Sequence, residues 1–292
     1  MLANAHPKAS PRGAAMTTRP VQGRPFEVGE GFSALGFDHK SFDGLMDPLV
    51  LVDHFTMSAP TFGPHPHAGM SAVSILFEDS AGRFHNRDSL GNDIDLLPGD
   101  LYWLEAGRGA VHDEKPRPGS RVHALQVFVN LPARFKRDAP AALHVPAAEM
   151  PVLRGAGYRV RVMLGGSNGV EGANAPTVPL TVLDAHLDPG GAFVHAMPAD
   201  ADAWVLAVSG DAEVVVAGSS ICLRQGFAVA VRSGSTAMPL ALRAEAGAHL
   251  AVLQGTPIRE RFVQQGPFVM SNTEDLRAVA AAHAAGRLGS LD

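Results

Sequence analysis

The sequence predicts an all-β chain: two successive antiparallel β modules followed by a short C-terminal helix. Three observations carry that expectation. Glycine (31) and proline (22) are plentiful and spread along the 292 residues, punctuating short apolar runs, the pattern of sandwiches and barrels. The strand–turn–strand rhythm that begins at residue 70 starts again after residue 180, with no long helical pattern between. Only the tail has helical periodicity.

In the first module "MSAVSILF" and "RFHNRD" read as strands joined by the turn "EDSAG", and "SLGN" leads to "DIDLL". A "PGD" turn at 98–100 precedes "LYWLE", a glycine-rich bend "AGRGA" precedes "VHDE", and the alternating run "SRVHALQVFVNLP" (120–132) closes the unit. The second module offers "LTVLDAHL", the turn "DPGG", "AFVHAMP", "AWVLAVSGDAEVVVAG", "SSICLRQGFAVAV" and "LALRAEAGAHLAVLQG", after a loop "GGSNGVEGANAP" at 165–176. In the tail, Ser271-x-x-Glu274 has the form of a capping box. Leu276, Val279, Ala280 and His283 then share one face, and Gly286 is placed to end the helix.

The bulk numbers exclude several classes. Hydrophobic residues make up 46% and charged residues 18%, a folded composition, and the net charge of −5 gives no electrostatic reason to expect direct nucleic-acid binding or an anionic membrane. Cys222 is the only cysteine, so no intrachain disulfide forms and a reducing compartment fits. The head lacks the apolar core of a secretory signal, and no run reaches the roughly 18 apolar residues that span a bilayer. A cytoplasmic protein is expected. Residues 1–16 read as a flexible extension, with Met16 an alternative start.

The stretch "GPHPHAGM" carries the chemistry. His65 and His67 stand at i, i+2, and in a strand such residues point to one face with Cα atoms roughly 6.5–7 Å apart. Pro66 between them makes the segment an edge or an irregular strand start. The same spacing recurs at His112 and Glu114 in "GRGAVHDE". Side by side in a barrel, the two segments would bring three neutral nitrogens and one carboxylate to one metal. With a single, distant cysteine a thiolate zinc site is not available. The set contains the two-histidine, one-carboxylate group of non-haem iron oxygenases plus one histidine, and nickel, cobalt, manganese and copper also accept it. Around it, His54, His85 and His123 are read as hydrogen-bonding residues and not ligands, with His85 the best neighbour to the site. Trp103 is read as core, Arg108 as a solvated turn residue that could instead orient Glu114, and Asp79, Asp93 and Asp95 as turn or surface residues. Cys222 is read as a buried small apolar residue.

Longer blocks then point to a family. "HPHAGM", "PGDLYWLEAGRGAVHDE", "HALQVFVNLP" and "QQGPFVMSNTEDL" closely resemble the pirins, two-barrel members of the cupin superfamily, and the likeness runs from "GFDHKSFDGLMDPLVLVDHF" to near the end. The usual cupin glutamate a few residues after H-x-H is missing, since Gly69, Met70, Ser71 and Ala72 stand there; in pirins the carboxylate follows the third histidine at +2, the place of Glu114. The resemblance implies a bicupin of two cupin-type barrels. Residues 17–140 would be the metal-binding domain, and residues 141–292 a second cupin without metal that carries the terminal helix. It implies one divalent metal, iron above nickel, cobalt, manganese, copper or zinc, on His65, His67, His112 and Glu114. The second barrel offers His195 but only Met197 where a partner histidine would stand. Some pirins cleave the flavonol quercetin with dioxygen and release carbon monoxide, so a flavonol-like aromatic and dioxygen are the implied substrates, with Glu114 as both ligand and base. The family also contains redox-sensitive transcriptional co-regulators. A non-catalytic metal-binding regulator with a protein partner is therefore the alternative.

Overall fold

The computed structural model describes residues 13–291, so the extension expected over 1–16 falls largely outside the described residues. Two large antiparallel sheets lie back to back, each closed into a barrel by a smaller sheet. The first large sheet runs in the order Ala141–Val145, Leu101–Glu105, Met70–Leu76, Val122–Asn130, Leu49–Met57, Phe32–Asp38, Arg24–Val28. Its partner sheet runs His65–His67, Ala110–Pro116, Phe84–Asp88, Asp93–Leu96. In the second barrel the large sheet is centred on Asp202–Ser209, Ala248–Gly255 and Leu180–Leu187, and the small one runs Gly191–Met197, Met238–Ala244, Ala212–Val216, Ser219–Leu223.

The central strands are buried on both faces, which is why they read as nearly continuous apolar runs and not as strict alternations. Met70–Leu76 and Ala248–Gly255 are buried at every residue. One face of each large sheet looks into its own barrel. The other packs against the opposite sheet, where Phe37, Val73, Trp103 and Val127 meet Trp204, Leu206, Ala230 and Leu253. Trp103 is therefore core, as its sequence context suggested, and sits between the barrels. Phe37 meets the Trp204 ring edge-on at 5.2 Å. Burial of this layer locks the two barrels together.

The chain ends cross over. Met16–Thr17 and Val21–Gln22 pair with Phe227–Arg232 at the edge of the second barrel's sheet. Conversely, the hairpin Val263–Gln265/Phe268–Met270 and the helix Thr273–Ala284 pack on the first barrel, where Phe268, Met270, Leu276, Val279 and Leu288 cover Ala68 and Val111. Sheet membership thus departs from the expected division at 17, 140 and 141. Ala141–Val145 pairs with Leu101–Glu105 in the first barrel, and each end of the chain serves the other domain. The reason lies in edge pairing: an open strand edge exposes unpaired N–H and C=O groups, and the chain ends cover them.

Two local expectations also change. The helix is capped by Asn272, whose side chain accepts the Asp275 N–H, and not by Ser271. Leu276 and Val279 are its buried pair, and Gly286, at φ 68°, follows its end. Cys222 is exposed. It lies on the edge strand Ser219–Leu223, where Leu223 points inward and Cys222 outward, so side-chain alternation overrides its apolar character. Among the described residues no helix is long and apolar enough to cross a membrane.

Candidate metal centre

The two histidine-bearing segments are adjacent strands. His112 stands directly opposite His65, and Ala110 opposite His67, so the parity of the ladder turns all three imidazoles into the first barrel. His112 Nε2 lies 3.0 Å from His65 Nε2 and 3.0 Å from His67 Nε2. The three residues form one group whose ligand atoms all lie within 4.8 Å of one another. The His65 Nδ1–H donates to the Gly63 carbonyl at 2.9 Å, which leaves its Nε2 as a bare lone pair.

The trio fits a cation. An imidazole nitrogen has one in-plane lone pair or one N–H, so the two 3.0 Å contacts of His112 Nε2 cannot both be hydrogen bonds. An octahedral ion with metal–nitrogen bonds of about 2.1 Å sets neighbouring ligands about 3.0 Å apart, where a tetrahedron would set them at about 3.4 Å. Burial, helped by the neighbouring imidazoles, lowers His67 to a pKa of about 3 and holds His112 well below the usual range. Both rings are therefore neutral and ready to ligate.

Glu114 stands beside the trio. Its Oε2 is 3.8 Å from His112 Nδ1, and its Oε1 accepts the Ser74 hydroxyl at 2.6 Å. Burial raises its pKa to about 7, against the Ser74 hydrogen bond. Ser74 Oγ also lies 3.1 Å from Gln126 Oε1. It has one proton, and the shorter contact takes it.

His85, the expected neighbour, faces the other way. In the ladder Glu114 pairs with Asn86 while His85 pairs with Lys115, and the His85 Nε2 is engaged by Asp93 at 2.7 Å. His54 and His123 meet each other through Nε2 atoms 2.7 Å apart beside Phe77 of the inter-barrel layer, and His123 also binds Asp79. All three are hydrogen-bonding residues, but none reaches the metal centre. Arg108 is exposed. What the sequence did not reveal is Ser74, which orients Glu114, and Phe128, whose ring meets His67 edge-on at 5.2 Å. Both come from strands central to the large sheet, and only the strand register brings them here.

The centre opens into a cavity of about 570 Å³. Six phenylalanines line it (Phe26, Phe32, Phe55, Phe62, Phe84 and Phe128), with Asp53, Gln126, Glu114 and Gln264 as polar points. Gln264, Gly266 and Pro267 come from the crossing hairpin. That hairpin is seated beside the His65–His67 strand: Phe268 bridges Ala68, and the Val269 N–H donates to Ala68 O at 3.0 Å. Gly69, at φ 70°, permits the approach, since a Cβ there would come within 2.1 Å of Val269 O. The buried Lys136 clamps the seam, donating to Gly69 O (2.7 Å), Val269 O (2.9 Å) and Asn130 Oδ1 (2.5 Å). The motifs "HPHAGM" and "GPFVM", about two hundred residues apart, are thus one contact.

In the second barrel both ring nitrogens of His195 are engaged, Nδ1 with Ser167 Oγ at 2.9 Å and Nε2 with Gln254 Oε1 at 2.8 Å, and Met197 is fully buried. A further group, Asp184, His186 and His249, lies outside that barrel's interior. There Arg161 holds one Asp184 oxygen at 2.7–2.8 Å and His249 takes the other, so a guanidinium already supplies the positive charge.

Comparison with known proteins gives a consistent picture. The family model for Pirin matches residues 32–129, and that for the Pirin C-terminal cupin domain matches residues 182–289. A putative pirin-like protein of Arabidopsis thaliana is 32% identical over 246 residues, 81% of this chain and 86% of that protein. Pirin of Homo sapiens is 30% identical over 232 residues, 79% of each. Among solved structures, a quercetin 2,3-dioxygenase from Acinetobacter baumannii superposes with a TM-score of 0.83 at 27% identity, over 95% of this chain and 99% of that one.

Proposed function

The chain belongs to the pirin family, and from that premise we propose that it is a metal-dependent dioxygenase that cleaves a flavonol such as quercetin. The observation that carries this reading is the trio of mutually facing imidazole nitrogens, 3.0 Å apart in two of its pairs, with His65 and His67 on the wall of an aromatic-lined cavity. The near full-length likeness to a quercetin 2,3-dioxygenase supports the substrate class.

In this reading His65, His67 and His112 hold one divalent ion, with Glu114 as a loosely held fourth ligand. Iron is the first choice, and nickel, cobalt, manganese, copper and zinc suit the same donors. The ion would supply Lewis acidity and a meeting point for an oxygen ligand and dioxygen. The chain supplies the rest. Glu114 Oε2 takes the proton of the substrate hydroxyl while the Ser74 hydroxyl steadies Oε1. The phenylalanine walls stack on a flat polycyclic substrate and exclude water from it. A lone cysteine with no disulfide to make fits a reducing compartment, and the cytoplasm is the proposed location.

A metal-binding regulator without turnover is the second reading. The contact between Ala68 and the crossing hairpin favours it, because a change at His67 would be felt by the surface helix Thr273–Ala284 and by a protein bound there. Aerobic incubation of the iron-, nickel- and cobalt-loaded protein with quercetin separates the two. Loss of flavonol absorbance with release of carbon monoxide is expected, and its absence with every metal would leave the regulator.

A further inference from the structure

One line of cross-strand pairs crosses the large sheet of the first barrel. Arg24 stands opposite Gly36, Gly36 opposite Asp53, Asp53 opposite Gln126, and Gln126 opposite Ser74. Directly paired residues share a face, and Asp53 and Gln126 both line the cavity. From Ser74 the line reaches Glu114. A polar lane therefore runs across an otherwise phenylalanine-walled space, from the metal centre toward the barrel's outer strand.

Two groups on this lane want partners. The half-buried Asp53 carboxylate takes no hydrogen bond among the described residues, and Arg24, two strands away, is the charged group that faces it. Gln126 Nε2 is buried without a partner; whichever way the amide is turned, one polar atom meets Ser74 and the other is left over. Gly36 keeps the carboxylate clear, since a Cβ there would stand 3.1 Å from Asp53 Oδ1 and 3.2 Å from the Phe26 ring. Buried polar groups without partners are uncommon and ask for an explanation.

We propose that Asp53 and Gln126 form a subsite for phenolic hydroxyls of the substrate other than its metal-facing one, and so set its selectivity among polyphenols. A hydroxyl there donates to the Asp53 carboxylate, and a neighbouring hydroxyl reaches the second carboxylate oxygen or the Gln126 polar atom that Ser74 leaves over. Ser74 and Asp53 lie two strands apart, on the order of 10 Å, so the lane is long enough to run beside a flat polycyclic substrate. A site built to bond a hydroxyl discriminates strongly against an analogue without it. Burial, which pushes the Asp53 pKa up to about 6, is consistent with a carboxylate awaiting a donor.

The inference rests on the flavonol reading, and calorimetry separates the two. The metal-loaded protein is titrated with quercetin and with the flavonol that lacks both catechol hydroxyls. Quercetin should bind at least about tenfold more tightly. In Asp53→Ala that preference should fall to within about twofold, through loss of quercetin affinity alone; the isosteric Asp53→Asn, which keeps the packing, should give an intermediate ratio. A preference unchanged in both variants, or no preference in the wild type, overturns the subsite while the flavonol pocket stands. Binding of neither compound by the wild type overturns both.

Discussion

The two barrels share an architecture and differ in what fills them. The second carries a continuous apolar core: Val160, Val162, Leu183, Phe193, Val205, Val229, Leu242, Leu250 and Val252 meet in its centre, and His195 there is tied to Ser167 and Gln254. The first gives the equivalent space to three histidines, a carboxylate and a cavity of about 570 Å³. A hollow barrel forfeits apolar contacts that a filled one makes, so it needs support from outside. It receives that support from the inter-barrel layer on one side and from the crossing hairpin and helix on the other. The comparison teaches that a site is carved by withholding core residues, and that the neighbouring module supplies the missing rigidity.

The sharpest way to break this contrast is to remove one inward histidine from each barrel. In His67→Ala, metal content by elemental analysis should drop from near one ion per chain to near zero, whereas His195→Ala should leave it unchanged; full metal in His67→Ala would refute the centre. Next in size, Leu250→Ala opens a hole in the filled barrel and should cost about 2–5 kcal/mol in denaturant unfolding.

Acid should act next, and on the hollow barrel. His67 is held neutral at a pKa of about 3, below its unfolded value near 6.5, so the unfolded chain binds more protons between those pH values. Stability of the metal-free protein is therefore complete above about pH 6.5 and lost as pH falls, by about 2 kcal/mol at pH 5 for this residue. Thermal melts across that range should reveal the loss, and added divalent metal should raise stability at each pH without removing the dependence. Smallest of all, Cys222→Ser on the outer edge should move stability by less than about 0.5 kcal/mol.

Much of this was legible in the sequence, for physical reasons. The i, i+2 spacing of His65/His67 and His112/Glu114 needs only the two-residue repeat of a strand, and the structure puts the three histidines together with Glu114 beside them. Other features depend on register, which a single chain does not display. His85 lies one step off Asn86, the residue opposite Glu114, and that one step turns it to the wrong face. Ser74, Gln126 and Asp53 fall in line only once three strands are aligned. Crossing of the chain ends was hidden because any open edge can accept a strand, and nothing in the composition of "PVQGRPFEV" says which edge it joins.

That crossing has a consequence for the order in which the molecule is made. A chain emerging from the ribosome can close its first barrel early, but the Gln264–Pro267 wall of the pocket and the backbone that Lys136 grips arrive after the entire second barrel. The nascent histidine cluster therefore stays open to solvent during most of synthesis. The last turn of assembly is also the one that finishes the chamber.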